Sequence, residues 1–285
     1  TELNINYGKY LGAQINLFLK GKQQPKLISS HGHTVFHQPH LGYTLQIGSL
    51  NEIALLTNIK TVGDFRTLDI SKGGQGAPLV PIGDEFLFPD YTYCVNLGGI
   101  SNYSHKLNGK RIAQDISPCN IVSNFLAKDI GLDFDDNGDL GRIGKVQIQL
   151  LNEMSNWSYY KKGKSLGIED LEKDFLSIIN QSSYSVQDKL STYYEHLGQI
   201  IGPFLKGIGT KSLFTGGGVK NSYLIERIKT YSESELIVPN IEIIDFKEAI
   251  IFALLGYLRI NKEINILSSV TGASSDSSAG VIIQV

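Results

Sequence analysis

Three glycine-rich turns, the acids beside them and a run of histidines are where residue types and spacing in this 285-residue chain could do chemistry. Residues 64–81 read DFRTLDISKGGQGAPLVP, so Asp64 and Arg66 stand just ahead of Gly73, Gly74, Gln75 and Gly76. Surface loops are polar, but they seldom set three glycines around one glutamine between apolar strands. A backbone that bare is arranged for close approach. The NLGGISN run (96–102) brings Gly98 and Gly99 to a sharp turn between strands and ends at Asn102. Bare amides there could cradle a phosphate; a glycine-rich hairpin bulge is the plainer alternative. TGGGVKN (215–221) runs from a strand through Gly216, Gly217 and Gly218 to Asn221 and a helix start. That order suits the anionic or adenine side of a nucleotide, or is simply a tight strand-to-helix turn. It is neither a Walker A loop nor a G-x-G-x-x-G fingerprint.

Asp115, in AQDISPCN, falls at the end of a hairpin strand with Ser117-Pro118 behind it. A carboxylate at the mouth of a sheet suits general-base work; alternatively Asp115 or Ser117 caps a helix beginning near Pro118. HGHTVFHQPH holds four of the six histidines. On one strand His31 and His33 share a face and could hold zinc, yet no cysteine or carboxylate lies near in sequence to complete the set. Polar histidines lining a pocket or the surface are the favoured reading. DFDDNGDLGRIG (133–144) imitates a calcium loop until its twelfth position, which is Gly144 where a bidentate glutamate belongs. A solvated loop is expected there. Glu248 opens an apolar helix, either as a charge favourable to the helix dipole or as a substrate-binding acid.

The elements that must position these groups alternate between strand and helix. A helix is expected over 8–21, then strands in KLISSHGHTVF, YTLQIGS and TNIKTVGDFR. GDEFLFPDYTY reads as a linker-like crossing with a domain boundary near residue 90. A β-hairpin follows, turning at Asn108-Gly109, a pair that favours positive φ. Helices are expected over 119–131, 144–154, 168–180 and 186–207, with strands in SLFTGGG and ELIVPNI and helices in KNSYLIERIK and KEAIIFALLGYL. Alternation of this kind predicts an α/β fold with helices on a mixed sheet. Hydrophobic content of 41%, charged content of 19% and a net charge of −2 describe an ordinary globular chain with no basic block for nucleic acid. The longest apolar run, Ile250 to Leu258, is about half the length a bilayer requires. No leader pattern opens the chain. Cys94 and Cys119 lack a C-x-x-C spacing and suit buried thiols in a reducing compartment, hence the cytoplasm.

Each signal is weak alone, but their order is specific. HGHTVFHQP, TLQIG, VGDFRTLDISKGGQGAPLVP, VNLGGISN, DISPCN, TGGGVKN, KEAIIFALLG and SVTGA follow one another as in the anhydro-N-acetylmuramic acid kinases. The chain resembles that family from about residue 8 to its end, most densely over 29–120 and 212–275, whereas across 145–205 only KSLG (164–167) is recognisable. The GGQGAPLVP run is distinctive for this group and its levoglucosan-kinase relatives. The resemblance implies two RNase-H-like domains of the actin-like ATPase and sugar-kinase kind with an interdomain cleft, divided as 1–89 and 90–285. It implies ATP and magnesium as cofactors, an anhydro sugar as the other small-molecule partner, no nucleic acid or membrane, and a homodimer. The reaction implied is opening of 1,6-anhydro-N-acetylmuramic acid with water and phosphorylation of O6.

By the same resemblance Asp115 is the base that activates water. His31, Thr34, Asp64, Arg66, Gly74, Gln75, Gly76, Asn120 and Glu248 are expected around the sugar. Gly98, Gly99 and Asn102 would form a second phosphate turn, and Gly216, Gly217, Gly218 and Asn221 the adenosine-side turn. A carboxylate on the sugar would suit the Arg66 guanidinium fork on chemical grounds. No metal ligands are implied. Family members open with an SGTSxDG strand and turn, and nothing from Thr1 onward matches it. The expectation is therefore that this phosphate-binding segment lies upstream or is missing. The usual DTGPGN is here DISPCN, so Ser117 and Cys119 replace glycines and their Cβ atoms are expected to restrict anion approach; HGHTV replaces HGQTV. A non-catalytic sugar-binding or regulatory homologue, or a kinase for another anhydro sugar such as levoglucosan, are the alternatives left open.

Overall fold

The computed structural model describes residues 1–161 and 171–285, so KSLG and the start of the helix expected over 168–180 lie outside the described residues. Contacts group the chain into two compact units. One comprises Thr1–Leu87, Leu107–Ile112 and Glu248–Val285; the other comprises Phe88–Lys106 and Ala113–Lys247. The switch at 87/88 falls near the expected boundary, but Glu248–Val285 groups with the first unit instead of the second. The reason is strand pairing and burial at long range. The last strand joins the first unit's sheet, and Phe252, Leu255 and Leu258 enter its core.

In the first unit, helix Glu2–Leu19 packs on helix Leu50–Thr57 through the buried Gly8 and Gly12. A Cβ on Gly8 would sit 2.7 Å from the Ser49 carbonyl, so only glycine allows this approach. The second helix was not expected, although Ser49 caps it by accepting from Glu52 N, a Ser-x-x-Glu start. Strands β1 (Ile28–Ser30), β2 (His33–Gln38), β3 (Tyr43–Ile47) and β4 (Thr61–Gly63) follow in chain order. β1 runs parallel to β4, and the final strand β10 (Val281–Ile283) antiparallel to it; β2 and β3 form a separate hairpin. The KLISSHGHTVF segment is thus two strands, broken at His31-Gly32 where Gly32 has φ +69°. GDEFLFPDYTY is no plain crossing either: its first half lies in helix Pro81–Leu87, with proline at the first turn.

The second unit holds a five-stranded sheet of β5 (Tyr93–Leu97), β6 (Ile100–Leu107), β7 (Lys110–Pro118), β8 (Lys211–Thr215) and β9 (Glu235–Ile237), ordered β7-β6-β5-β8-β9. β5 is antiparallel to β6 and parallel to β8, and β8 is parallel to β9. This antiparallel meander continued by two parallel strands is the RNase-H-like arrangement. The Asn108-Gly109 turn has φ of 50° and 78°, as its residue types require. Val95, Leu97, Tyr103, Ile116 and Phe214 point from the sheet into a core shared with Val122, Tyr193, Leu197 and Leu224 of the helices.

Two local expectations change. In the acidic run, Asp135 is buried and accepts Leu140 N at 2.9 Å, Gly141 N at 3.0 Å and the Tyr194 hydroxyl at 3.0 Å. The segment is a helix start built around a carboxylate, not a solvated loop: a short helix Asp139–Ile143 forms there, and the helix expected over 144–154 is present as Ile148–Ser155. The late apolar helix begins at Ile241, so Glu248 lies in its interior and is exposed, away from the N-terminal dipole.

Candidate active site

In the second unit the two glycine turns at Gly98 and Gly216 are neighbours, because β5 and β8 are parallel and both turns leave their C-terminal ends. Ligands of open α/β sheets gather at such ends. The Asn96 amide lies between them. A Cβ on Gly98 would be 3.1 Å from Asn96 Nδ2, and one on Gly216 2.5 Å from Asn96 Oδ1. Asn120 sits at the same place: its Nδ2 donates to Leu97 O at 2.9 Å, and a Cβ on Gly218 would meet its Oδ1 at 2.9 Å. Asn120, expected near the sugar, is therefore grouped with the glycine turns. The carbonyls of Gly98 and Gly99 accept from Asn120 N at 3.1 Å, Cys119 N at 2.8 Å and Ile121 N at 3.3 Å, so the first amides of helix Asn120–Lys128 are taken. What the turns leave open is backbone at Gly99 and Gly217, both exposed. Asn221 is employed elsewhere. Its Oδ1 caps helix Ser222–Tyr231 by accepting Leu224 N at 2.8 Å.

Asp115 lies on β7, half-buried, one residue before the core residue Ile116. Successive strand side chains alternate, so Asp115 is on the face opposite Ile116; the alternation ends there, since Ser117 and Pro118 are buried along with Ile116. The same rule, applied beside Val95 and Leu97 and beside Tyr103, puts Asn96 and Asn102 on that face, and the two are direct cross-strand partners. The capping alternative does not hold, since helix Asn120–Lys128 has Cys119 at its N-cap and no side-chain cap bond. Ser117 and Cys119 are buried. Ser117 Oγ bonds the Tyr160 hydroxyl at 2.8 Å, which meets His196 Nε2 at 2.9 Å. Burial pushes the Cys119 thiol up to about 12. The two side chains that replace glycines thus turn into the core, which corrects the expectation that their Cβ atoms narrow the approach.

The first unit gathers the other expected residues. Asp69, which sequence reasoning passed over, is fully buried beneath the glycine loop. Its Oδ2 accepts Gly76 N at 2.7 Å and its Oδ1 accepts the Thr271 hydroxyl at 2.7 Å. Gly74 N donates to Asp69 O, and Gln75 N to Thr271 O, each at 2.9 Å. The amides of Gly74, Gln75 and Gly76 are therefore all taken within the protein. The glycines serve a different need: a Cβ on Gly74 would fall 2.2 Å from Asp69 Oδ2, and Gly76 has φ +65°. The loop presents the exposed Gln75 side chain.

Arg66 donates from Nη1 to Gly76 O at 2.6 Å, while its Nη2 and Nε lie 2.8 and 3.3 Å from His31 Nε2. His31 Nδ1 faces Gly32 O at 3.0 Å, which leaves neither ring nitrogen for a ligand. Burial first, and the Arg66 charge second, hold this histidine below its ordinary range. Burial also lowers Arg66, against which Glu248 pulls upward, so the acid shares this neighbourhood. Asp64 has φ +57° and accepts Thr67 N at 3.3 Å. With His31, Thr44, Gln46 and Asn51 it lines an open pocket of about 330 Å³; Thr34 reaches it only through Gln46, whose Nε2 donates to Thr34 Oγ1 at 3.3 Å. Among the described residues, no group of three or more His, Cys, Asp or Glu could hold a metal ion. No helix among them is long and apolar enough to cross a membrane.

The family profile described as anhydro-N-acetylmuramic acid kinase matches residues 2–285. The chain belongs to the anhydro-N-acetylmuramic acid kinase family. The curated anhydro-N-acetylmuramic acid kinase of Aliivibrio fischeri is 37% identical over 274 residues, covering 90% of this chain and 74% of that protein. Its counterpart in Pasteurella multocida is 36% identical over 278 residues, covering 91% and 74%. That of Mannheimia succiniciproducens is 32% identical over 311 residues, covering 99% and 82%. Among solved structures, a 2-hydroxyisocaproyl-CoA dehydratase activator from Clostridium difficile is similar at a TM-score of 0.43 with 16% identity, over 75% of this chain and 84% of that one. That likeness is too slight to argue from. Asn96 and Asp69 are the residues beside the glycine turns that motif order did not disclose. The signals were an asparagine two residues before Gly98 on an alternating strand, and an acid one helical turn before the glycines.

Proposed function

We infer that this chain is an ATP-dependent anhydro-N-acetylmuramic acid kinase that opens the 1,6-anhydro bridge with water and phosphorylates O6. The observation that carries the reading is family membership across residues 2–285, in a chain whose two glycine turns lie side by side and whose Asp115 stands on β7 of the same sheet. Gly99, Gly217 and the amides around them are the residues that would take the nucleotide, since the exposed backbone there carries no side chain to obstruct it. When bound there, ATP would supply the phosphoryl group, and a magnesium ion on its phosphates would neutralise their charge.

Asp115 takes a proton from water as the oxygen attacks the anomeric carbon. The bond from that carbon to O6 breaks, and O6 receives the phosphoryl group. In the first unit Gln75, Asp64 and Glu248 orient the sugar, and Arg66 holds the loop that carries Gln75. Positioning of this kind supplies much of the rate in phosphoryl transfer. Two buried thiols outside any disulfide suit a reducing compartment and support a cytoplasmic location; the family resemblance supports a homodimer.

The test is the full-length gene product with ATP, magnesium and 1,6-anhydro-N-acetylmuramic acid, following ADP release and the mass of the product. The reading expects a 6-phosphate with water incorporated, faster turnover than on levoglucosan, and loss of turnover in Asp115→Asn with sugar binding retained. Binding of the sugar without ADP release, or undiminished turnover in that variant, overturns it.

A further inference from the structure

His31 stands where the first unit's glycine loop is held, and its bonding leaves one tautomer. Arginine nitrogens only donate, so His31 Nε2, at 2.8 Å from Arg66 Nη2, must be the acceptor. The ring proton then sits on Nδ1 and is donated to Gly32 O. The edge of Phe252, at 4.6 Å between ring centres, fixes the ring plane. With His31 on one side, the Arg66 guanidinium is aimed at Gly76 O on the other.

We propose that His31 is a positioning residue for the sugar loop: neutral, it aims Arg66 at the Gly76 carbonyl; protonated at Nε2, it releases Arg66 and loosens Gly74–Gly76. A second ring proton would put N–H against N–H at the present 2.8 Å spacing and set two positive charges together. Gly76 O would then lose its charged donor, leaving the loop to Asp69 and Thr271. The groups facing the ring are accounted for on every side. Arg66 follows β4 and disfavours the charged ring, as does His33 on β2; Glu248 on helix Ile241–Ile260 favours it, and Gly32 O does so as an acceptor. Asp64 lines the same pocket. Glu248 is exposed, so solvent and salt screen its pull. The neutral ring is therefore the working form at neutral pH.

This inference rests on the reading that the loop binds an anhydro sugar, and its test separates the two. With sugar varied, KM should rise about tenfold for each pH unit below the ring's midpoint, as the competent fraction falls, over a range from about pH 8 to about pH 5. KM for ATP should not follow. His31→Gln keeps an acceptor for Arg66 but cannot take the proton, so its sugar KM should lose that slope, whatever its absolute value. His37, which meets the loop through the Gln75 backbone, remains in this variant and controls for itself. A flat wild-type profile, or the same slope in His31→Gln, overturns the proposal. Nitrogen-15 spectra of the wild-type protein give a readout that needs no turnover: the Nε2 signal should be that of an unprotonated nitrogen at high pH, and the Gly74 and Gly76 amides should shift with the ring's own midpoint. If those amides titrate with His31 while no sugar is phosphorylated, the kinase reading falls and the coupling stands. If they ignore His31, the coupling falls.

Discussion

Removing the Asp69 carboxylate tests what holds the glycine loop. The side chain is fully buried and serves two donors, Gly76 N at 2.7 Å and the Thr271 hydroxyl at 2.7 Å. In Asp69→Ala the Gly76 amide keeps no acceptor, and the Thr271 hydroxyl keeps only Leu267 O at 3.4 Å. At roughly 1–3 kcal/mol for each of the two buried groups left unsatisfied, the loop loses about 2–6 kcal/mol. Loosening by about 3 kcal/mol alone lowers the fraction of loop ready for sugar by about a hundredfold. Asp69→Asn is the informative partner. Its carbonyl oxygen still accepts Gly76 N–H, and its amide faces a hydroxyl that can rotate to accept. A sugar KM raised only about tenfold is expected there, from weakening of one charge-assisted bond. The assay is initial rates with sugar varied at saturating ATP, then the reverse. Sugar KM should climb in the order wild type, Asp69→Asn, Asp69→Ala, while KM for ATP stays within about twofold, because the Asp69 partners all belong to the first unit. Equal rises in both constants, or none in Asp69→Ala, would refute the reasoning.

Two further outcomes concern side chains of the second unit. His196 is held to about 3 by burial, against 6.5 for an ordinary histidine. The unfolded chain takes up the proton first, so its contribution to stability is full above about pH 6.5 and lost as pH falls towards 3. At about 1.4 kcal/mol per pH unit that amounts to roughly 4–5 kcal/mol, and denaturant unfolding across this window should show a shallower acid slope in His196→Asn. Asn221→Ala should cost about 1 kcal/mol of stability through loss of the helix cap to Leu224 N, with KM for ATP unmoved; a large rise in that constant would return Asn221 to the nucleotide.

Where local chemistry decides the structure, the sequence reads well. The Asn108-Gly109 turn and the strand-glycine-helix order at 211–231 arise from residues near one another, and both are present. The glycine loop shows where such reading stops. Its spacing marked it as unusual, but the cause is Asp69 beneath Gly74, a contact made by folding back within one loop. Thr271, two hundred residues away in sequence, completes it. Arg66 looked like a carboxylate fork, yet its donors face His31 and Gly76, and only the tertiary arrangement of β1 beside β4 brings those groups together. Ser117 and Cys119 looked like obstructions to an anion, because a one-dimensional pattern does not tell which way an extra Cβ turns. The return of Glu248–Val285 to the first unit was hidden for the same reason, since strand exchange across such a separation leaves no periodicity.

Cys94 and Cys119 are the chain's two thiols, and both are sealed inside the second unit, at 2% and 1% exposure. A thiolate is the reactive form, and burial keeps that of Cys119 scarce at any ordinary pH. The native enzyme should consequently ignore alkylating dyes and mild oxidants. Any labelling that does occur clocks the opening of the second unit, giving this kinase an internal stopwatch for breathing that needs no engineered probe.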